Sequence, residues 1–322
     1  MIGLYFLVYR RYTSPFLWKK IGVSVRNRNS VAVLLAAYNG KAFIDEQLDS
    51  ILNQRGVDIH LFISVDLSTD GTYEWCKIFE EEHENVTVLR YGERYGSAAK
   101  NFFRLIKDVD FSAYDYIAFA DQDDIWLSDK LSHGIKQMKN NDVGAYSASV
   151  IAFWDEGREK LIDKSQPQRE LDYLFEAAGP GCTYMFTNKM AHLIKGYLNQ
   201  FSELDDFVLH DWLCYAILRH KKYSWFIDSV PKMRYRQHGT NQVGANASFR
   251  GKMHRMHYIL SGQTFDSVKR LIDVLDISSV DISSRKGLLK LAFKAQQLRR
   301  RRLDQAFAFI ALLLYTIKGP NI

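Results

Sequence analysis

VAVLLAAYNGKAFIDEQLDSILNQ, residues 31–54, is the stretch whose reading decides the fold class. Its first seven residues are an unbroken apolar run, which reads as a strand buried on both faces. After the polar YNG, apolar residues return at Phe43, Ile44, Leu48, Ile51 and Leu52, the spacing of a helix with one apolar face. The same alternation runs on through the chain. Residues 60–65 read as strand, 72–82 as helix, 86–91 as strand, 98–107 as helix and 114–120 as strand. Strand and crossover helix in turn predict an α/β fold with a mostly parallel central sheet and flanking helices. In such sheets ligands gather beyond the carboxyl ends of the strands. Here those ends read YNG, DLSTDGT, YGERYG and DQDD.

The bulk properties narrow the class further. With 322 residues, 47% hydrophobic and 25% charged, the chain has ordinary globular composition and room for one large domain or two smaller ones. Three cysteines, Cys76, Cys182 and Cys214, are an odd number without metal-ligand spacing, which argues against a disulfide framework and fits a reducing cytoplasm. The net charge is +6, yet residues 285–302 alone hold eight Lys or Arg and no acid. Without that segment the body is close to neutral, so the basic stretch needs its own explanation. Apolar runs at residues 2–9 and 306–317 fall short of the roughly 20 residues that cross a bilayer, and no transmembrane helix is expected. The charge follows the first run instead of preceding it, unlike a secretory signal.

Four stretches carry candidate chemistry. AFADQDDIW places Asp121, Asp123 and Asp124 directly after an apolar strand. Carboxylates this close repel one another, and a hard cation such as Mg²⁺ or Mn²⁺ bridging phosphate oxygens offsets that repulsion. A turn of aspartates before a helix near Ser128 is the bland alternative. In DLSTDGT, Asp66 ends a strand and can accept from a base or ribose, whereas Asp70 can cap the helix that follows. LHDWLCYAI puts His210 and Asp211 at a helix start, where the helix dipole favours the anion and a carboxylate can take a proton. YRQHGTNQVGAN offers Arg236 to balance phosphate charge and a neutral His238 to ligate the same cation or donate to a diphosphate. The chain has no P-loop and no GxGxxG after the first strand, which removes the main supports for kinase-like and dinucleotide-oxidoreductase readings.

Taken together, AAYNG, DLSTDGT, FADQDDIW, GPGCTYMF, HDW and RQHGTNQVG fall in the order of family 2 inverting glycosyltransferases of the GT-A fold. The pairing of ADQDDIW with RQHGTNQVG resembles the rhamnosyltransferase-like branch that builds bacterial O-antigen and other surface polysaccharides. The resemblance implies Ala37, Tyr38, Asp66, Asp121, Arg236 and His238 at the nucleotide and diphosphate, with Asp121, Asp123 and His238 at a divalent cation, Mg²⁺ or Mn²⁺. It implies Asp211 as the base, and Gly181, Cys182, Thr183 and Trp212 beside the acceptor or donor sugar. One departure stands out: the usual paired acids after the second strand read Val65 then Asp66.

The expected organisation is an N-terminal extension (1–30), a GT-A catalytic domain (31–248) with a nucleotide-binding half (31–125) and an acceptor half (126–248), and a basic helical extension (249–322). Lys286, Lys290 and Lys294, spaced by four, with Leu289, Leu291, Phe293 and Leu298 among them and Arg299 to Arg302 following, suit a helix lying on anionic lipid. With the family resemblance, that implies a place on the inner face of a bacterial cell membrane, a nucleotide-sugar donor with dTDP-rhamnose the leading choice, and a polyprenyl-diphosphate-linked or oligosaccharide acceptor; an oligomer is also compatible. Two competing readings are a sugar-phosphate nucleotidyltransferase, which lacks its glycine-rich loop here, and a nucleic-acid-binding protein using the arginine run, which the near-neutral body disfavours.

Overall fold

A computed structural model describes residues 28–238 and 263–319. The alternation read from the sequence is present: β1 (Asn29–Ala37), α1 (Ile44–Leu52), β2 (Val57–Val65), α2 (Thr72–Glu82), β3 (Val86–Val88), α3 (Ala98–Asp108) and β4 (Tyr116–Asp121). Then come β5 (Ile125–Trp126), α4 (Lys130–Asn140), β6 (Ala145–Ala148), β7 (Val150–Phe153) and β8 (Glu159–Ile162). β9 (Met185–Thr187), α5 (Asn188–Gln200), α6 (His210–His220), β10 (Trp225–Asp228) and β11 (Met233–Arg236) complete the sheet region.

β1 shows how the apolar run makes a two-sided core. Successive strand residues point to opposite faces, so Ala32, Leu34 and Ala36 enter one apolar cluster while Val31, Val33, Leu35 and Ala37 enter the other. Seven strands lie in the order β10-β6-β9-β4-β1-β2-β3. β4, β1, β2 and β3 run parallel, β9 pairs antiparallel with both β4 and β6, and β10 is parallel to β6. The third strand is shorter than expected. After Val88 only Leu89 keeps a sheet bond, its N–H reaching the Ile63 carbonyl, and the Arg90 carbonyl instead accepts from Arg104.

A second sheet, β5-β11-β7-β8, was not legible as a sheet because its strands are two to four residues long and β11 pairs with β5 and β7 over large separations. It has a functional consequence: β11 runs antiparallel to β5, with Arg234 opposite Ile125. Arg236 is thereby carried back alongside Asp123 and Asp124.

The carboxy-terminal helices are α7 (Gln263–Leu275), α8 (Arg285–Phe293), α9 (Ala295–Leu298) and α10 (Arg302–Lys318). Phe265, Val268, Leu271, Leu288, Leu291, Leu312 and Tyr315 join the same apolar cluster as Phe186 and Leu213 of the sheet region. The expected boundaries at residues 1–30 and 249 fall largely outside the described residues, apart from β1 beginning at Asn29. Among the described residues, no helix is long and apolar enough to cross a membrane.

The arginine run corrects the expectation of one continuous basic helical face. Arg299 is extended (φ −138°, ψ 144°) and separates α9 from α10. Arg300 is buried, with its backbone N–H on Glu176, its Nη2 donating to the Ala177 carbonyl at 2.6 Å, and its guanidinium 3.5 Å from the Asp172 carboxylate. Arg299 donates to the Phe175 carbonyl and Arg301 to the Asp163 carbonyl. A buried guanidinium needs such partners. The three arginines strap residues 163–177 to the carboxy-terminal helices.

Candidate functional site

The loops after β1, β2 and β4 converge because the three strands are in parallel register, with Ala37 opposite Val65 and Ala36 opposite Asp121. Side chains then lock the loops together. Asn101 of α3 donates to the carbonyls of Ala37 and Ser64. Gln122 grips the Tyr38 backbone at both ends, accepting its N–H at 2.7 Å and donating to its carbonyl at 2.9 Å. Gly40 leaves the space this clamp needs, since a Cβ there would overlap the Gln122 carboxamide. Asn39, in the left-handed region at φ 46°, accepts the Thr69 N–H.

Of the nucleotide residues named from sequence, Tyr38 is 48% exposed at the rim, whereas Ala37 is buried with its carbonyl committed to Asn101 and to the Asp66 N–H. Contact through the Ala37 side chain is therefore corrected; Tyr38 presents the surface. Asp66 is buried, and its two oxygens accept the N–H groups of Leu67, Tyr95 and Gly96 at 2.7–2.8 Å, fixing the loop that covers this corner. Asp70 accepts from the Thr72 N–H and hydroxyl and from the Lys41 N–H. Its slight burial raises the carboxyl's pKa, and these hydrogen bonds outweigh that and lower it. The helix-start reading of Asp70 holds.

The DQDD segment separates into two groups. Asp123 Oδ2 lies 2.7 Å from His238 Nε2, and the imidazole stacks on Phe43 with ring centroids 4.7 Å apart. Behind them, Asp121, Asp124 and the Cys182 thiol bring ligand atoms within 4.8 Å of one another. Asp124 Oδ1 accepts the Arg236 N–H, and Asp124 Oδ2 is buried with no hydrogen-bond partner among the described residues. Burial, then the neighbouring carboxylates, pushes the carboxyl groups of Asp121 and Asp124 well above the usual range. Taking up a proton relieves that repulsion, and so does a cation. Sequence reasoning gathered all three acids around one cation and named only Asp121 and Asp123 among its ligands, although Asp124 is the most deeply buried of the three.

Arg236 is buried between the rings of Phe43 and Phe153. Its Nε donates to the Asp123 carbonyl at 2.9 Å and its Nη2 pairs with Glu46. The expectation that it balances phosphate directly is refined: it holds the DQDD loop. Lys130, which no motif signalled, is buried over the Trp126 ring, its Nζ 3.4 Å from the centroid and without a hydrogen-bond partner. Burial pushes its ammonium down to about 7, against the pull of Cys182, Asp124 and Asp121. It is the built-in positive charge next to the acid cluster.

Asp211 sits in the first turn of α6, its Oδ1 accepting the Trp212 N–H at 2.7 Å. Burial pushes its carboxyl up to about 6, against that hydrogen bond and the charge of Lys164. Gly181 lies against Asp211, and the next residue, Cys182, lies against Asp121 and Asp124, so Asp211 and this acid group are neighbours. His210 is buried against Phe102, ring centroids 3.9 Å apart, with Nε2 unpartnered, and burial holds its imidazole down at about 3, neutral. Gly181 allows α6 to approach: a Cβ there would overlap the His210 ring and stand 3.2 Å from Asp211 Cβ. Gly181→Ala is therefore expected to cost about 1–3 kcal/mol through overpacking and to lower kcat more than it raises the donor KM. Thermal unfolding together with initial rates checks this, and parental values in both would refute it.

Cys182 adjoins Asp124 and Asp121. Two acceptor-side expectations are corrected. Thr183 is buried, its hydroxyl donating to the Pro180 carbonyl and accepting the Ala148 N–H. Trp212 is buried against Phe207, its indole N–H on the Tyr173 carbonyl. Both lie in the interior that supports α6.

Residues 32–197 match the family model described as "Glycosyl transferase family 2". The chain is 43% identical over 286 residues to the "dTDP-rhamnosyl transferase RfbG" of Shigella flexneri, covering 87% of this chain and 99% of that protein. It is 24% identical to the "UDP-Glc:alpha-D-GlcNAc-diphosphoundecaprenol beta-1,3-glucosyltransferase WfgD" of Escherichia coli, over 57% of this chain and 68% of that one. Among solved structures, S. aureus TarS in complex with UDP-GlcNAc superposes with a TM-score of 0.52 at 12% identity, over 91% of this chain and 93% of that one. At that identity the likeness concerns the fold, which is GT-A.

Proposed function

The chain belongs to glycosyl transferase family 2, and from that premise we infer that it transfers L-rhamnose from dTDP-rhamnose to a lipid-linked or growing oligosaccharide in O-antigen or related surface-polysaccharide synthesis. The choice of sugar follows the Shigella relative, and the diphosphoundecaprenol acceptor named for the Escherichia coli relative suggests the lipid carrier. The observation that carries the reading is the proximity of Asp211, across Gly181 and Cys182, to the DQDD carboxylates at the exit of β4.

The chemistry follows from that placement. Asp211, ionised at neutral pH, takes the proton of the acceptor hydroxyl; that oxygen attacks the anomeric carbon, and the nucleoside diphosphate leaves from the opposite face, inverting the configuration. Tyr38 and the loop fixed by Asp66 receive the nucleotide. The residues present fit a hard divalent cation, Mg²⁺ or Mn²⁺. Asp123 and His238 share a hydrogen bond that a cation can replace, Asp121 adds a second carboxylate, and Asp124 stands behind with an orphaned oxygen. When bound, such a cation offsets the charge that builds on the leaving diphosphate. Neutral His210 and Cys182 keep the surroundings free of competing charge, and the ammonium form of Lys130 offsets part of the repulsion among the carboxylates.

A donor panel of dTDP-, UDP- and GDP-sugars, each with Mg²⁺ or Mn²⁺ and with EDTA, tests the reading. Release of dTDP from dTDP-rhamnose, dependent on acceptor and abolished by EDTA, is the expected result. Equal release from every donor would remove the sugar assignment, and full turnover in EDTA would remove the cation.

A further inference from the structure

Helix α10 has an outward stripe with no polar residue on it. Leu303, Ala306, Ile310, Leu314 and Ile317 follow one another at intervals of three or four, and all are exposed, Leu303 by 85% and Ile317 by 76%. Residues at that spacing lie on one side of a helix. The opposite side, Ala311, Leu312 and Tyr315, is buried in the core. The neighbouring helix α8 packs along α10, and Phe293 meets Phe309 edge-on at 5.9 Å. The outer face of α8 and the turn after it consists of Lys286, Leu289, Lys290, Phe293 and Lys294, with Phe293 70% exposed. The two helices thus present one patch, an apolar centre rimmed by lysines and by Arg302. Apolar surface this continuous marks a contact.

The charge identifies the occupant. A second copy of the same patch would bring lysine rim against lysine rim, and like charges so placed repel. An anionic lipid surface complements them, while the leucine and isoleucine side chains enter the boundary between headgroups and acyl chains. We propose that this α8–α10 face is the surface by which the enzyme docks onto anionic bilayers. The Arg299–Arg301 strap, engaged by protein carbonyls and carboxylates, does not contribute to it. This names the partner surface implied by a lipid-linked acceptor, and so rests in part on the function proposed above.

Cosedimentation of the full chain with vesicles tests it. The vesicles are zwitterionic phospholipid with or without anionic phospholipid, at low and high salt, and turnover is followed in parallel on a water-soluble acceptor. The parent should partition onto anionic vesicles at low salt and release at high salt. Ile310→Glu/Leu314→Glu should lose about 10-fold or more of that partition. Lys286→Gln/Lys290→Gln/Lys294→Gln should lose on the order of 10²-fold, and with it the salt dependence. All these positions are exposed and lie outside the catalytic loops, so soluble-acceptor turnover should persist and report a folded enzyme. Absence of parental binding would overturn the proposal, as would binding unchanged in both variants. So would a parental dimer that the Glu variant dissociates while vesicle binding is retained. Absent turnover with normal partition would instead count against the catalytic reading alone.

Discussion

Replacing Asp211 by asparagine is expected to reduce kcat by about 10²-fold or more, the usual contribution of a positioned general base, while leaving the donor Kd within a few fold. Asparagine keeps the side-chain oxygen that accepts the Trp212 N–H, so the first turn of α6 should stay in place. Stability argues in the same direction. The carboxyl's pKa is raised to about 6 on folding. A raised acid pKa means that the folded state holds this proton more tightly than the unfolded chain. The group's contribution therefore worsens as pH climbs from the ordinary carboxylate range through about 6, and it is fully unfavourable at pH 7. A neutral amide escapes that penalty, and Asp211→Asn should melt no lower than the parent at pH 7. In the parent, turnover should rise with pH along an acidic limb near 6, and in the variant's residual activity that limb should vanish. Rates near the parental level, or a limb that persists in the variant, would eliminate Asp211 as the base.

Neutralising the pair in Asp121→Asn/Asp123→Asn is expected to lower kcat on the order of 10³-fold, since it removes charge stabilisation that operates mainly in the transition state. The structure sharpens this into a comparison of single changes. Asp123 and His238 form the outer group, and Asp121 gathers with Asp124 and Cys182 in the inner one. Titrating Mn²⁺ against turnover in Asp123→Asn and in Asp124→Asn separates the two. The outer assignment expects the metal response to weaken strongly in Asp123→Asn and to survive in Asp124→Asn. The reverse pattern would move the cation inward.

Much of the catalytic frame was readable because its signals are local. The apolar run of β1 and the amphipathic α1 announce themselves within 24 residues, and α2 occupies the same residues, Thr72–Glu82, that periodicity indicated. The strand-exit loops followed from that frame, as did Asp211 at the start of α6. What escaped notice depends on partners distant in sequence. β5 and β11 pair across more than a hundred residues, so nothing near Arg236 revealed that its guanidinium would brace the Asp123 carbonyl. Lys130 reads as an ordinary residue at the start of a helix, and only the fold shows that it is buried beside Asp121 and Asp124. Trp212 and Thr183 lie within motifs, and motif membership does not say which way a side chain points. The arginine run misled for a related reason. Four consecutive cations resemble a solvated face until Asp172 and Glu176, more than a hundred residues earlier, are seen to enclose one of them.

That enclosure limits how the molecule can be rearranged. Arg299 to Arg301 bind the backbone of the stretch that leads to Gly181 and carries Lys164, whose charge acts on Asp211. A chimera that exchanges only the carboxy-terminal helices with those of a relative would leave buried Asp172 with Arg219 as its one cation and part-buried Glu176 without its arginines. The natural crossover for grafting therefore lies ahead of Asp163, so that the acids and the arginines that neutralise them travel as one cassette.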